Sequence, residues 1–329
     1  MRPFTYERAA SPTAAVQSAD DGAEFHAGGT TLIDLMKLDV MTPDRLIDIS
    51  HIDDARMRGI EMSGDRLRIG ALVSMAELSA NEELRRRCPV LTDSLWLAAS
   101  AQLRNAARLG GNVLQHTRCA YYRDTSYAEC NKRVPGSGCA ALDGVNRQHA
   151  VLGTSPHCIA KYAGDWAQAL IALDASVDIL GKTGPRTIAF ADLHRLPGDR
   201  PDIETNLQPG DLIVAFTIPD VNWPRSTYLK IRDRESYAYA LASAAVAVRM
   251  DGDDVADVRI GLGGVATIPW RAANAEAALK GGPLTEERLT AAADAAFAGA
   301  ETHGHNDYKI ELGKRTLVRA VTDAARMEG

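Results

Sequence analysis

The sequence of 329 residues contains no apolar run long enough to cross a membrane, since a spanning helix needs about 18 consecutive apolar residues or more. Its first residues, MRPFTYERAA, carry charge but lack the apolar segment of a secretory signal peptide. A basic excess is also missing, because 37 Lys and Arg against 43 Asp and Glu leave a net charge of −6. Nucleic-acid-binding surfaces are normally basic. We therefore expect a cytoplasmic protein, or a periplasmic one that is exported together with a signal-bearing partner.

Cysteine is scarce, with five in the whole chain, too few for a disulfide scaffold of this size. Four of them lie in one loop-rich segment at residues 115–160, namely Cys119, Cys130, Cys139 and Cys158. The intervals of ten, eight and eighteen residues match neither zinc-ribbon nor bacterial ferredoxin spacing. The residues alone leave open an iron–sulfur cluster, a zinc site, disulfides or unrelated buried cysteines. Cys88 stands apart and is interpreted as a small buried residue.

The sequence lacks both Gly-x-Gly-x-x-Gly and a Walker lysine, yet it contains two other glycine pairs. The first, in Gly28-Gly29-Thr30-Thr31, lies between a predicted strand at residues 24–27 and a predicted helix over Leu32–Lys37. This arrangement can bind a pyrophosphate through free amides, a helix N-terminus and threonine hydroxyls. An ordinary left-handed turn before a helix explains the same residues. The second, Gly110-Gly111-Asn112, is predicted as a turn whose amides can approach a phosphate because no Cβ intervenes.

Strand and helix signals divide the chain into three regions of an α+β protein whose N-terminal part is α/β-like. Residues 1–57 are predicted as one subdomain and residues 58–221 as a second, which carries the four-cysteine insertion. Residues 222–329 are predicted as a C-terminal α+β domain, a sheet with helices on one face. The boundary before it is the proline-containing segment 219–225. A single helix is predicted over residues 90–103.

Six stretches carry a combined signature. They are AGGTTLIDLMK at 27–37, LRIGALV at 67–73, QLRNAARLGGNVLQ at 102–115, TRCAYYRDT at 117–125, CNKRVPGSGCAALDGVNRQHAVLG at 130–153 and KIRDRESYAYAL at 230–241. Together they resemble the FAD-binding middle subunit of the molybdenum-containing hydroxylases, the xanthine dehydrogenase and aldehyde oxidoreductase family. The resemblance extends over nearly the whole chain. It is closest to the bacterial aldehyde oxidoreductase branch whose flavin subunit also carries a [4Fe–4S] cluster.

The resemblance implies a PCMH-type FAD-binding fold of two subdomains, followed by a domain like the CO dehydrogenase flavoprotein C-terminal domain. The first glycine loop would hold the FAD pyrophosphate, and the second would lie against the diphosphate and ribityl side. A cation near the flavin ring stabilises the anionic reduced flavin. The implied FAD-binding residues are Ala27, Gly28, Gly29, Thr30, Thr31, Leu32, Asp34, Arg108, Gly110, Gly111, Asn112, Asp165, Ile213 and Lys230. The implied [4Fe–4S] ligands are Cys119, Cys130, Cys139 and Cys158.

Within this set, the resemblance assigns separate roles to three residues. Asp165 would bond the flavin moiety, Ile213 would pack on the cofactor, and Lys230 would lie near the isoalloxazine ring. Arg108 departs from the family, which often has Thr or Ser at this position.

The resemblance implies an oxidoreductase subunit that is active only within a heterotrimer. Electrons released at a molybdopterin-binding large subunit would pass through [2Fe–2S] clusters of a small subunit, reach FAD in this chain and leave to an external acceptor. No residue of this chain would be catalytic toward the organic substrate. The alternatives are a xanthine dehydrogenase-like or hydroxybenzoyl-CoA reductase-like flavin subunit, a zinc-stapled binding module, or a stand-alone flavin oxidoreductase. For the last, only Asp233, Glu235 and Tyr237 follow Lys230 as weak acid–base candidates. A FAD-dependent cell-wall reductase of similar flavin fold is a further alternative, but that class lacks the four-cysteine insertion.

Overall fold

A computed structural model describes residues 1–328. They form three regions, each built around one β-sheet. The N-terminal region contains β1 (Thr5–Arg8), α1 (Pro12–Ser18), β2 (Ala23–His26), α2 (Leu32–Lys37) and β3 (Arg45–Asp48). Its strands form a parallel sheet in the order β1-β3-β2. Parallel neighbours need crossover connections, and α1 and α2 lie in these connections. The central strand β3 is also the most buried of the three, because it is paired on both edges.

The middle region forms an antiparallel sheet of five strands around one continuous apolar strand. Its elements are α3 (Ala55–Arg58), β4 (Ile60–Ser63), β5 (Arg66–Gly70), α4 (Met75–Ser79), α5 (Glu82–Arg87), α6 (Pro89–Trp96), α7 (Ala101–Ala106), α8 (Leu109–Val113), α9 (Ala120–Arg123), α10 (Trp166–Ala172), β6 (Ser176–Gly181), β7 (Gly184–Ala189), a 3₁₀ turn (Phe190–Asp192) and β8 (Leu212–Ile218). The strand order is β4-β5-β8-β6-β7. Trp166 of α10 is fully buried and packs edge-on against Phe216 of β8, with ring centroids 5.1 Å apart.

The C-terminal region is an antiparallel sheet with three helices. It contains β9 (Ser226–Ile231), β10 (Ala242–Asp251), β11 (Asp254–Gly263), β12 (Trp270–Arg271), α11 (Ala273–Leu279), α12 (Glu286–Ala296) and α13 (Tyr308–Ala325). The strand order is β12-β11-β10-β9. Leu317, Val321 and Ala324 of α13 are buried together with Val246 of β10 in a hydrophobic core that the C-terminal region mainly forms. This spacing of three and four residues places one helix face on the sheet.

Two predictions about local structure are wrong. Residues 90–103 do not form one helix, because α6 ends at Trp96 and α7 begins at Ala101. Between them Ala99 has a left-handed φ of 51°, and the Ser100 hydroxyl caps α7 by accepting a hydrogen bond from the Leu103 amide at 3.3 Å. The predicted turn at Gly110-Gly111-Asn112 is the middle of the short helix α8.

Each of the three predicted domains contains one of the sheets, although the division at residues 57 and 221 stays a prediction. Among residues 1–328, no helix combines the length and the apolar character that crossing a bilayer requires.

Asp48, at the end of β3, makes the N-terminal sheet sensitive to acid. Its buried carboxylate accepts hydrogen bonds from the Ser50 amide at 2.8 Å and from the Tyr6 hydroxyl. Burial opposes the charge, but these hydrogen bonds outweigh it and lower the pKa of Asp48 from 3.8 to about 2. Since the folded pKa lies below the unfolded one, this stabilisation is complete above about pH 4 and is lost as the pH falls toward 2.

We expect Asp48→Asn to lower the free energy of unfolding at neutral pH and to weaken its dependence on pH between about 4 and 2. Urea unfolding at several pH values measures both effects. Asp53→Asn, which changes an exposed carboxylate, is the control and should keep the wild-type dependence. An unchanged acid dependence in Asp48→Asn would contradict the assignment.

Candidate cofactor site

The two glycine segments, residues 27–32 and residues 108–112, are brought together by a close backbone contact. A Cβ added to Gly28 would lie 2.1 Å from the Ala106 carbonyl oxygen, at the end of α7. Only glycine fits there without displacing the backbone. The next residue, Gly29, has a φ of 67°, in the left-handed region that glycine adopts readily. The first glycine loop (residues 27–32) therefore packs against the end of α7, which leads directly into the second glycine segment (residues 108–112).

The first glycine loop offers unused hydrogen-bond donors. Within residues 1–328, five consecutive backbone amides have no protein acceptor, those of Gly28, Gly29, Thr30, Thr31 and Leu32. The hydroxyl groups of the two threonines also have no protein partner within this part of the chain. Phosphate oxygens accept hydrogen bonds from consecutive free amides of this kind. The loop thus fits a pyrophosphate group.

The second glycine segment combines packed and open positions. Gly110 is buried, whereas Gly111 is exposed, and a Cβ added to Gly111 would meet nothing within 4 Å. Beside them, the Oδ1 atom of Asn112 is buried without a hydrogen-bond partner in the described chain. The guanidinium group of Arg108 donates to the Leu72 carbonyl at 3.3 Å, so this side chain is bound to the protein itself. Open space next to a bare backbone and an unpaired acceptor is suited to a bound ligand.

Asp165 and Lys230, predicted separately, form one buried ion pair. The Asp165 Oδ2 and Lys230 Nζ atoms are 2.8 Å apart, and both side chains are almost fully buried. The Tyr228 hydroxyl donates to Asp165 Oδ1 at 2.6 Å, and Lys230 also donates to the Leu97 carbonyl at 3.1 Å. Burial and then the Asp165 charge raise the pKa of Tyr228 well above its ordinary value. This network joins the start of α10 to β9, and therefore the middle region to the C-terminal region.

Two other predicted residues lie in different surroundings. Ile213 lies in β8 opposite Ile179 and is buried in the main hydrophobic core, so its contact with a cofactor stays a prediction. The carboxylate of Asp34 in α2 is bound by two guanidinium groups, those of Arg118 and Arg123. Burial opposes the Asp34 charge, but these groups hold its pKa below the ordinary value.

The four clustered cysteines line one small cavity, whereas Cys88 lies in the hydrophobic core. Cys130 and Cys139 are opposite each other in an isolated antiparallel bridge. The His149 Nε2 atom lies 3.1 Å from the Cys119 sulfur. All five cysteines are free thiols, so the structure does not contain the disulfides that the sequence left open.

Burial of these thiols within the protein governs their protonation. It raises the pKa of Cys119 to about 12 and that of Cys158 to about 11. A bound metal would reverse this effect, because its positive charge favours thiolates. Within residues 1–328, no three or more His, Cys, Asp or Glu side chains are arranged to hold a single metal ion. The four sulfurs therefore do not form the compact tetrahedron that a zinc ion requires.

Comparisons with known proteins agree with this architecture. A family model for the FAD binding domain in molybdopterin dehydrogenase matches residues 2–221, and one for the CO dehydrogenase flavoprotein C-terminal domain matches residues 227–324. The chain belongs to this family of molybdopterin dehydrogenase flavin subunits. The aldehyde oxidoreductase FAD-binding subunit PaoB of Escherichia coli (strain K12) is 46% identical over 98% of this chain and 99% of that protein. The carbon monoxide dehydrogenase medium chain of Hydrogenophaga pseudoflava is 28% identical over 92% and 89%.

Solved structures of the family share the fold over its full length. A chain of carbon monoxide dehydrogenase from Hydrogenophaga pseudoflava has a TM-score of 0.75 at 27% identity, covering 98% of each chain. A chain of reconstituted CO dehydrogenase from Oligotropha carboxidovorans has a TM-score of 0.77 at 26% identity, covering 99% of this chain and 100% of that one. The predicted fold, the oxidoreductase class and FAD as cofactor are thereby confirmed. The chain is the FAD subunit of a molybdenum hydroxylase complex.

The family resemblance did not indicate every residue of the site. Tyr228 was missed, although it precedes Lys230 by two residues and so shares its face of β9. Arg118 and Arg123 were also missed, although they flank Cys119 in the sequence. The acid–base candidates of a stand-alone enzyme do not converge, since Asp233 pairs with Arg147 at 2.7 Å. Glu235 and Tyr237 are exposed.

The buried ion pair predicts a large effect of one substitution on stability. Lys230→Met should lower the free energy of unfolding by about 3–5 kcal/mol, because it leaves the Asp165 carboxylate buried without a cation. The double change Asp165→Asn with Lys230→Met should recover part of this loss. Urea unfolding measures these two variants and the single Asp165→Asn, with the exposed Lys182→Met as control. A double variant that loses the sum of the single effects would contradict a direct interaction.

A substitution at Gly111 can test contact with the cofactor without disturbing the packing of the protein. Gly111→Ala should preserve or raise the free energy of unfolding, because alanine is favoured in a helix and its Cβ meets no protein atom. It should nevertheless weaken FAD binding about tenfold, or about 1.4 kcal/mol, since the methyl group separates the cofactor from the backbone. Flavin fluorescence titration measures the affinity, with the exposed Gln102→Ala in α7 as control. An unchanged affinity would exclude contact at Gly111.

Proposed function

We propose that the chain is the FAD and [4Fe–4S] subunit of a molybdenum hydroxylase of the aldehyde oxidoreductase type. It receives electrons from [2Fe–2S] clusters of a small partner subunit, next to a molybdopterin-binding large subunit, and delivers them to an external acceptor. The observation that carries the proposal is that four cysteines line one cavity in a chain whose two glycine segments pack together. FAD, when bound, exchanges electrons singly or in pairs and so connects one-electron and two-electron partners.

The cavity walls support an iron–sulfur cluster in three ways. Four sulfur donors match the ligand number of a [4Fe–4S] cluster, which is wider than a single ion and needs more widely separated thiolates. The backbone amide of Tyr122 favours the thiolate form of Cys119, and the backbone amide of Ala141 favours that of Cys139. The Ala160 amide donates to the Cys158 sulfur at 3.4 Å. Amides directed at sulfur also raise the reduction potential of a cluster.

The residues predicted to bind FAD divide into two groups. The diphosphate is assigned to the first glycine loop, whose free amides can bind it without a competing protein acceptor, and to the open surface at Gly111 of the second glycine segment. The flavin end is assigned to the Asp165–Lys230 pair and Ile213. Because Lys230 is held by a carboxylate and a carbonyl, its ammonium group has a defined position from which its charge acts on a nearby ring.

The 46% identity to PaoB favours an aldehyde as the substrate of the large subunit over a purine or an acyl-CoA thioester. We place the complex in the cytoplasm, or in the periplasm if a signal-bearing partner subunit exports it. A stand-alone flavin oxidoreductase is less well supported, since Asp233, its nearest acid–base candidate, is already paired with Arg147.

Cysteine variants test the cluster directly. Cys139→Ser should reduce the iron and acid-labile sulfide of the anaerobically purified complex by about four atoms each. FAD should still bind to this variant, because the residues of the two glycine segments are unchanged. Cys88→Ala is the matched control, since this cysteine lies in the hydrophobic core away from the cavity, and its iron content should stay normal. Equal iron in both variants would refute the cluster assignment.

A further inference from the structure

The side chain of Asp34 joins the first glycine loop to the four-cysteine segment. Asp34 lies in α2, directly after this loop. Its Oδ2 atom is 2.9 Å from Arg118 Nη1 and 2.8 Å from Arg123 Nη1, and its Oδ1 atom accepts a third bond from Arg123 Nη2 at 3.1 Å. Both arginines flank Cys119, which is one of the cluster ligands assigned above. The ion pairs thus span 84 and 89 residues of sequence between the two cofactor sites.

Apolar packing makes the same connection next to these ion pairs. Leu35, the neighbour of Asp34, is fully buried against Tyr122 and Cys130. The Cys119 side chain also packs against these three residues. Helix α2 therefore contacts the cysteine segment through both charge and apolar surface. The two contacts are independent, because one involves guanidinium groups and the other involves side chains on the buried face of α2.

The C-terminal region completes the contact. The Tyr239 ring lies 5.1 Å from the Arg118 guanidinium carbon and so stacks on one of the two cations. Both guanidinium groups are partly buried, with 19% and 24% of the Arg118 and Arg123 side chains exposed. A carboxylate held by three hydrogen bonds from two such cations is a more constrained arrangement than an isolated surface pair.

The charges give this arrangement a consequence for FAD. A free carboxylate next to the first glycine loop would repel a diphosphate, whereas two guanidinium groups give the trio a net charge of +1. That compensation exists only while the cysteine segment is ordered, since both arginines belong to it. A disordered cysteine segment would leave Asp34 unpaired beside the phosphate-binding amides. Binding at one cofactor site therefore favours binding at the other.

We propose that Asp34, Arg118 and Arg123 are positioning residues that couple FAD affinity to the presence of the cluster, an inference that rests on the proposed function. Because such coupling is reciprocal, FAD should also slow the loss of iron from the cysteine segment. The three residues act through the glycine loop and the cysteine ligands and do not themselves need to contact either cofactor.

The test compares FAD affinity with and without iron in the intact complex. FAD is removed with concentrated bromide, iron is removed from half of the sample with a chelator, and flavin fluorescence titration gives both dissociation constants. In the wild type, iron removal should weaken FAD binding by about fivefold or more. In Asp34→Asn the ratio of the two constants should fall toward one, and Asp34→Glu should restore it. Asp39→Asn, whose carboxylate pairs with the N-terminal amine, should keep the wild-type ratio.

The outcomes separate this inference from the proposed function. A purely structural role for Asp34 would lower thermal stability and leave the ratio unchanged, which would overturn the coupling. If the wild type holds both cofactors and its FAD affinity is independent of iron, the coupling is wrong and the proposed function stands. If the wild type holds no cluster, both fail. Should Asp34→Asn not fold, Arg123→Gln removes two of the three hydrogen bonds and should lower the ratio in the same way.

Discussion

The close approach of Gly28 to the Ala106 carbonyl is the constraint on which the cofactor site depends. It brings the end of the parallel N-terminal sheet against the helical part of the middle region. No side chain separates these backbones, and the run of free amides at residues 28–32 begins at this contact. The surface proposed for a diphosphate thus results from main-chain packing, and main-chain atoms supply most of its donors.

Negative side-chain charge is compensated in the same way at both ends of the candidate site. Two carboxylates of the candidate site are paired with cations from distant parts of the chain, Asp34 with two arginines and Asp165 with one lysine. FAD brings negative phosphates and, once reduced, further negative charge on the flavin. A site with unpaired carboxylates would repel it. Pairing them with cations from other regions makes the electrostatics of the site dependent on the assembly of all three regions.

Local patterns predicted the elements well where the pattern is long and uninterrupted. The apolar run Leu212–Ile218 is a buried central strand, as its composition indicates. The break between α6 and α7 was missed because residues 90–103 are mostly apolar, and a left-handed Ala99 has no signal in composition. The glycine pair of α8 was read as a turn, since glycine is normally unfavourable inside a helix.

The sequence by itself determined the family, and with it the FAD cofactor and the α+β class, because short motifs in a set order are properties of the chain. Only the tertiary structure decided which charges meet. The pairs Asp165–Lys230 and Asp34–Arg123 join residues 65 and 89 positions apart. No local periodicity records such distances, since the pairs form only when separate elements, such as α2 and α9, pack against each other.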